Sequence, residues 1–251
     1  MTPGESLHIQ TAKTQQPLVS IIIATYNAAL HLQACLHSIV EQAYPAIEVL
    51  IVDGGSTDGT LSILKEHNVH IAKWISEPDK GIYDALNKGI KMASGQWLYF
   101  LGADDRLLPG FSRLAAQIKD PDTLYYGNTT ANGPLFTGKF SAYRLAKYAI
   151  NHQAIIYPAK VFKKYTYNIQ YRVFADYALN LQCWGDGSIK KQYLNIDIAW
   201  YNLTGFSAVA ADELFKKDKP RLIKDSMGWL MYIRFLYKRR KEQKRPGSNF
   251  Y

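Results

Sequence analysis

Three apolar runs, each ending in a polar or acidic turn, constrain this chain more than any other feature. VSIIIATYN (19–27) is followed by IEVLIVD (47–53), which runs into GGSTDGT, and then by QWLYFLGADD (96–105). Uninterrupted apolar stretches of this length, bounded by turn residues, read as parallel strands buried on both faces. In an open parallel sheet, ligands bind outside the carboxyl ends of the strands. Thr25-Tyr26-Asn27, Asp53 and Asp104-Asp105 are therefore predicted to meet at one crevice. Carboxylates there suit a ribose or base edge and a divalent cation, which together point to a nucleoside diphosphate ligand.

The segments between these runs have helical spacing. ALHLQACLHSIVEQA (29–43) sets Leu32, Leu36, Ile39 and Val40 on one face, and Pro45 stops it. TLSILKEH reads as a short helix capped by Asp58 or Thr60. Residues 69–75 alternate like a strand, and Ile82, Ala85, Leu86, Gly89, Ile90 and Ala93 repeat as a packed helix does. The order βαβαβαβ predicts a doubly wound, mostly parallel sheet. Beyond Pro109 the pattern loosens. Strands are expected at 123–126, 153–157 and 192–201, and a helix at 174–184. No internal repeat or low-complexity linker interrupts the chain.

With 251 residues and 47% hydrophobic content, the chain can form one large α/β domain or a domain with an appendage. Residues 1–16 lack the basic start and apolar core of a secretory signal and read as a flexible leader. No apolar run reaches the roughly 18 residues of a membrane-spanning helix. Cys35 and Cys183 lack metal-ligand spacing and are expected as buried thiols in a cytoplasmic protein. Tyr165, Tyr167, Tyr171 and Phe174 form an aromatic set expected to be exposed, with room for a dimer contact.

Charge is concentrated at one end. Residues 216–245 carry 12 Lys+Arg against 3 Asp+Glu, which accounts for the whole net charge of +9. The rest of the chain is neutral, which argues against a nucleic-acid-binding body. In the same stretch Leu222, Ile223, Met227, Trp229, Leu230, Ile233, Phe235, Leu236 and Tyr237 alternate with Arg and Lys. A basic helix of this composition suits an anionic membrane surface. The plainer reading is a terminal helix packed on the core.

Six segments carry candidate chemistry. The glycines of the turn after Asp53, Gly55 among them, let backbone approach a ligand. Adjacent Asp104 and Asp105 repel each other unless a cation or a proton relieves them, and Mg²⁺ or Mn²⁺ does so while binding phosphate oxygens. Asp79, Lys80 and Gly81 precede a helix whose first amides favour anions. Asn151-His152-Gln153 opens a strand, and Asp176 sits at a helix start, where it is either a general base or a dipole-stabilising carboxylate. Tyr201–Ser207 is a glycine-containing loop able to close over a site. The P-loop, GxSxG and HExxH motifs are absent, and no GxGxxG follows the first strand.

Taken together, SIIIATYN (20–27), VDGGSTDGT (52–60), SEPDKGIYDALNKGI (76–90), ASGQWLYFLGADD (93–105), NHQAIIYP (151–158), YRVFADYALNLQ (171–182) and TGFSAV (204–209) resemble glycosyltransferase family 2, an inverting family with the GT-A fold. The later segments look most like the branch that builds bacterial exopolysaccharide of the colanic-acid type. The resemblance spans about residues 17–210. It implies that Thr25, Tyr26, Asn27, Asp53 and Gly55 hold the base and ribose, with Asp79, Lys80 and Gly81 completing that pocket. Asp105 would bind Mn²⁺ or Mg²⁺ with Asp104 beside it, and Asp104 also serves as a possible sugar contact. Asp176 would be the catalytic base, and His152, Gln153 and the Gly205-Phe206-Ser207 loop would line the donor-sugar or acceptor side. Many relatives carry a DxD, and here Ala103 fills its first acidic place, so the order of the Asp104 and Asp105 roles stays open.

The expected organisation is a leader (1–16), a catalytic domain (17–210) with a nucleotide-sugar half (17–110) and an acceptor half (111–210), and a basic amphipathic segment (211–251). The implied activity is transfer of a sugar from a UDP, GDP or dTDP donor to a lipid-linked glycan, on the inner face of the cytoplasmic membrane. A catalytically degenerate binding module and a sugar-phosphate nucleotidyltransferase are the alternatives. The latter lacks support because ATYNAALHL carries no basic phosphate loop after the first strand.

Overall fold

The computed structural model describes residues 16–133, 138–204 and 211–244. Its first half follows the predicted order: β1 (Val19–Thr25), α1 (Ala29–Val40), β2 (Ile47–Asp53), α2 (Thr60–Glu66), β3 (Lys73–Ser76), α3 (Ile82–Met92) and β4 (Trp97–Gly102). These strands are parallel in the order β3-β2-β1-β4. The register sets Thr25 level with Asp53, and Asp53 level with Ser76, so the strand ends form one rim.

The two-residue period of β1 explains why helices cover both sides. Val19, Ile21 and Ile23 enter one core with Leu32, Leu36 and Ile39 of α1. Ile22 points to the other, where it meets Leu86 of α3. Gly89 permits that second contact at close range, since a Cβ there would lie 2.4 Å from Ile22 Cγ2.

The second half adds β5 (Arg106–Leu107), α4 (Gly110–Ala115), β6 (Thr123–Thr130), α5 (Ala142–Lys147), β7 (Ile155–Pro158), α6 (Val161–Lys164), α7 (Ala175–Gly185), β8 (Lys190–Trp200) and α8 (Glu213–Gln243). β7 joins β4 antiparallel, and β6 and β8 extend the sheet to eight strands in the order β3-β2-β1-β4-β7-β6-β8-β5. Both cysteines are buried and free.

Several local expectations shift. Residues 69–75 do not form one strand: Asn68–His70 is a 3-10 turn with Val69 85% exposed, and β3 covers only the last part. Val40 and Ile82 leave their predicted apolar faces for solvent. β6 runs four residues past its expected end because β8 pairs with it along that length. The aromatic set read as exposed is largely internal. Tyr167 and Tyr171 are buried, and Tyr165 and Phe174 pack partly against the same core, so no open aromatic patch stands there.

α8 is interrupted at Gly228, whose φ of 82° and ψ of 172° lie outside the helical region. Before the break, Phe215 and Ile223 are buried in the core that holds α7, and beyond it Phe235 joins them. Lys219 is buried with them, its Nζ 4.7 Å from the Tyr177 ring centre and 3.4 Å from the Lys147 carbonyl oxygen, which it donates to. Burial pushes its ammonium down to about 7. Among the described residues no helix is long and apolar enough to cross a membrane.

Candidate active site

A cleft of about 700 Å³ opens where β1 and β4 end. Thr25, Tyr26 and Asn27 border it from the first strand, and Asp79, Lys80 and Gly81 from the approach to α3. Asp104, Asp105, His152, Gln153 and Asp176 complete the walls. Parallel strands sharing one register bring the first groups together, and the antiparallel addition of β7 carries residues 152–153 to the same place. Gly205, Phe206 and Ser207 lie outside the described residues.

Asp53 and Gly55 are not on the cleft wall. Asp53 is fully buried beneath it and accepts hydrogen bonds from the Gly55 and Ser56 amides at 3.0 and 2.9 Å, Ser76 Oγ at 2.6 Å and Thr25 Oγ1 at 3.1 Å. Burial alone would raise its pKa. The hydrogen bonds from Ser56, Ser76 and Thr25 outweigh it and hold the carboxyl below its usual range. In this state Asp53 ties three strand ends together. The sign follows: its stabilisation is present above the unfolded carboxylate pKa and is lost as pH falls through the lower folded value. Asp53→Asn removes the charge that two amides and three hydroxyls donate to, and its NH₂ obliges the Thr25 and Ser56 hydroxyls to turn and accept instead. It should cost about 3 kcal/mol, read as a lower urea midpoint with unchanged slope.

The neighbouring turns are laced together. Asn27 has a left-handed backbone (φ 48°), a conformation asparagine tolerates better than most residues. Its amide donates to Ser56 Oγ at 2.8 Å and its Oδ1 accepts from the Thr57 amide at 2.9 Å. Gly54 lets the Asp79 loop approach, because a Cβ there would stand 2.5 Å from Asp79 Oδ2.

The two candidate metal carboxylates differ. Asp105 is 1% exposed and accepts from Gln153 Nε2 at 2.6 Å, the Asn202 amide at 2.8 Å and the Gly102 amide at 3.2 Å. Burial, with the charge of Asp104 adding to it, pushes its pKa up to about 6 against the opposing hydrogen bonds. Asp104 is more open and accepts from Asn202 Nδ2 at 3.0 Å through Oδ2. Excess negative charge of this kind is what a divalent cation relieves. Among the described residues no cluster of three or more His, Cys, Asp or Glu could hold a metal by itself. A cation held by this pair would need further ligands from outside the described residues, such as phosphate oxygens and water.

Asp176 stands in the first turn of α7. Its Oδ1 accepts from the Tyr177 amide at 2.7 Å and lies 3.0 Å from the Tyr83 hydroxyl, and its Oδ2 is 3.1 Å from His152 Nδ1. The Tyr83 hydroxyl also reaches the Val173 carbonyl at 2.6 Å, so its single proton lies between two acceptors. Consecutive residues of one 3-10 turn therefore grip both acidic centres, His152 on Asp176 and Gln153 on Asp105. Sequence reasoning missed Tyr83, and it took Asn202 only as part of a loop. Neither carries a local motif, and a polar residue directly after a strand was the one signal for Asn202.

A family model for glycosyl transferase family 2 matches residues 20–179. A PGL/p-HBAD biosynthesis glycosyltransferase of Mycobacterium bovis BCG is 39% identical over 216 residues, covering 81% of this chain and 84% of that protein. Among solved structures, Staphylococcus aureus TarS superposes with a TM-score of 0.65 at 16% identity, covering 84% of this chain and 43% of that one. TarS has also been solved with UDP and with UDP-GlcNAc. The mannosyltransferase PcManGT from Pyrobaculum calidifontis, in complex with GDP-Man and Mn²⁺, superposes at 0.60 and 14% identity over 93% of this chain and 78% of its own. At these identities the structural likenesses carry the fold, which is GT-A.

Proposed function

Because the chain belongs to glycosyltransferase family 2, we propose that it moves a sugar from a nucleoside-diphosphate sugar to a hydroxyl of a lipid-linked glycan, with inversion at the anomeric carbon. The observation that carries this reading is the convergence of the Asp104-Asp105 pair and Asp176 on one cleft. The first suits the diphosphate side of a donor, and the second suits the acceptor side. Relatives and neighbours support it: the mycobacterial relative is a biosynthetic glycosyltransferase, and the neighbours bind UDP, UDP-GlcNAc and GDP-Man. UDP, GDP and dTDP are the candidate donors.

Thr25, Tyr26, Asn27, Asp79, Lys80 and Gly81 form the nucleotide side of the cleft. Asp53 and Gly55 act there by holding the strand ends and the turn in place. Asp104 and Asp105 are the residues that would hold Mn²⁺ or Mg²⁺. When bound, such a cation neutralises charge that builds on the departing diphosphate. Asp176 removes the proton of the attacking acceptor hydroxyl, on the face of the sugar away from the nucleotide. His152 and Tyr83 fix the direction of that carboxylate, and Gln153 fixes Asp105. The Gly205-Phe206-Ser207 loop remains assigned to the donor-sugar or acceptor side. The acceptor places the enzyme on the inner face of the cytoplasmic membrane.

A thermal-shift panel of UDP, GDP and dTDP, each with and without Mn²⁺, tests the reading. A nucleotide at a hundred times its Kd should add about 2.7 kcal/mol, or roughly 5–10 °C for a chain of this size. The rise should be large for one base and should depend on the cation. No rise with any of the three, with or without the cation, would sink the proposal.

A further inference from the structure

The apolar residues of the C-terminal segment divide into two sets. Ile223 and Phe235 are buried, and Leu222, Met227, Met231 and Leu236 pack partly against the same core. Trp229, Leu230, Ile233 and Tyr237 are left out, at 63, 76, 59 and 73% exposure. They all follow the break at Gly228, and at 3.6 residues per turn their spacing puts them on one side of the second helical stretch of α8. Arg240 and Lys244 continue that side, and Lys241 and Arg234 flank it; all four are exposed. The one acid of residues 229–244, Glu242, is paired with Lys238. An apolar strip with an aromatic at each end, bordered by cations that form no ion pair among the described residues, matches a surface that is apolar beneath and anionic above.

We propose that this face, Trp229, Leu230, Ile233 and Tyr237 with Arg240, Lys241 and Lys244, is where the protein lies on an anionic lipid bilayer. The stretch before Gly228 packs on the core through Phe215 and Ile223, and its Lys224 lies 4.4 Å from the Trp229 ring centre. The aromatic rings sit at the headgroup level and the aliphatic side chains enter the acyl boundary, as in other interfacial helices. The basic side chains meet lipid phosphates. What the contact is for rests on the transferase reading, since it brings a lipid-carried acceptor to the enzyme; the contact itself rests only on this face.

Co-sedimentation of the full chain with vesicles tests it, using phosphatidylcholine alone and phosphatidylcholine mixed with phosphatidylglycerol. The unmodified chain should pellet with the anionic vesicles, stay in solution with the neutral ones, and release as salt rises. W229S/L230S/I233S/Y237S should weaken binding by about tenfold or more. R240Q/K241Q/K244Q, which alters only exposed side chains, should weaken it roughly a hundredfold. Failure to pellet, equal pelleting with both vesicle types, or unaltered pelleting of either variant overturns the proposal. Failure to pellet would redirect the face to an acidic protein partner. The nucleotide thermal shift, run on the same samples, keeps the two readings apart. A variant that retains it is folded, and vesicle binding without any nucleotide response in the unmodified chain supports the contact while counting against the transferase.

Discussion

Asp176→Asn is expected to lower sugar transfer by about 10²–10⁴-fold, the usual weight of a positioned general base, while nucleotide affinity stays near that of the unmodified chain. The substitution keeps the side-chain shape, and its amide oxygen can still accept from the Tyr177 amide that binds Oδ1 at 2.7 Å. It removes the charge that accepts the acceptor's proton. The loss should fall on kcat, with the donor KM little changed, because Asp176 is assigned to the acceptor hydroxyl and not to the nucleotide. Steady-state kinetics with donor varied at saturating acceptor, alongside nucleotide titration, reads both quantities. Full activity in this variant would remove Asp176 from the base role. An equal loss of nucleotide affinity would mean that it shapes the whole cleft instead.

The second large effect concerns the acidic pair. Asp104→Asn and Asp105→Asn should each weaken cation-dependent binding of a nucleoside diphosphate, by about a hundredfold or more, since a cation at phosphate oxygens supplies several kcal/mol. Binding measured without the cation should change little. Acid should act in the same direction. Burial and then the charge of Asp104 raise Asp105 to about 6, so a proton competes with the cation for this carboxylate, and affinity should decline as pH falls through about 6. In Asp104→Asn the repulsion is gone, and the midpoint should move toward acid. The effect on folding has the opposite sign to that of Asp53. A raised carboxylate pKa means the folded chain holds the proton more tightly than the unfolded one. The charged form therefore costs stability above pH about 6, and the cost fades as pH falls through that value. Calorimetric titrations on both sides of that pH check the prediction. Cation-dependent affinity that is flat across it, and undiminished in both variants, would detach the pair from the cation.

The C-terminal segment shows how far a sequence pattern extends and where it stops. The basic and apolar character of residues 216–245 is plain in the sequence, but composition alone puts Ile223, Phe235, Trp229 and Tyr237 in one basic, apolar stretch. Packing separates them. Ile223 and Phe235 go to the core beside α7, while Trp229 and Tyr237 are left in solvent, with Gly228 turning the chain between Ile223 and Trp229. Tyr167 and Tyr171 teach the reverse. Nothing adjacent to them in sequence announces burial, and aromatic partners from distant segments enclose them, Tyr83 against Tyr167 and Phe215 against Tyr171.

The sequence by itself determined the parallel half of the sheet, because apolar runs and helical spacing are set by near neighbours. It also determined which residues stand at the strand ends, because parallel strands of one direction finish on one edge. Thr25, Asp104 and Asp105 reached the cleft for that reason. Tertiary structure alone decided which of those groups line the cleft and which hold the frame. Asp53 turned inward because donors on β1, on β3 and in its own turn surround it. Asp105 met Gln153 from 48 residues away and the amide of Asn202 from 97, and Asp176 met His152. Such contacts depend on how the sheet closes in space, and no local spacing in the chain encodes that.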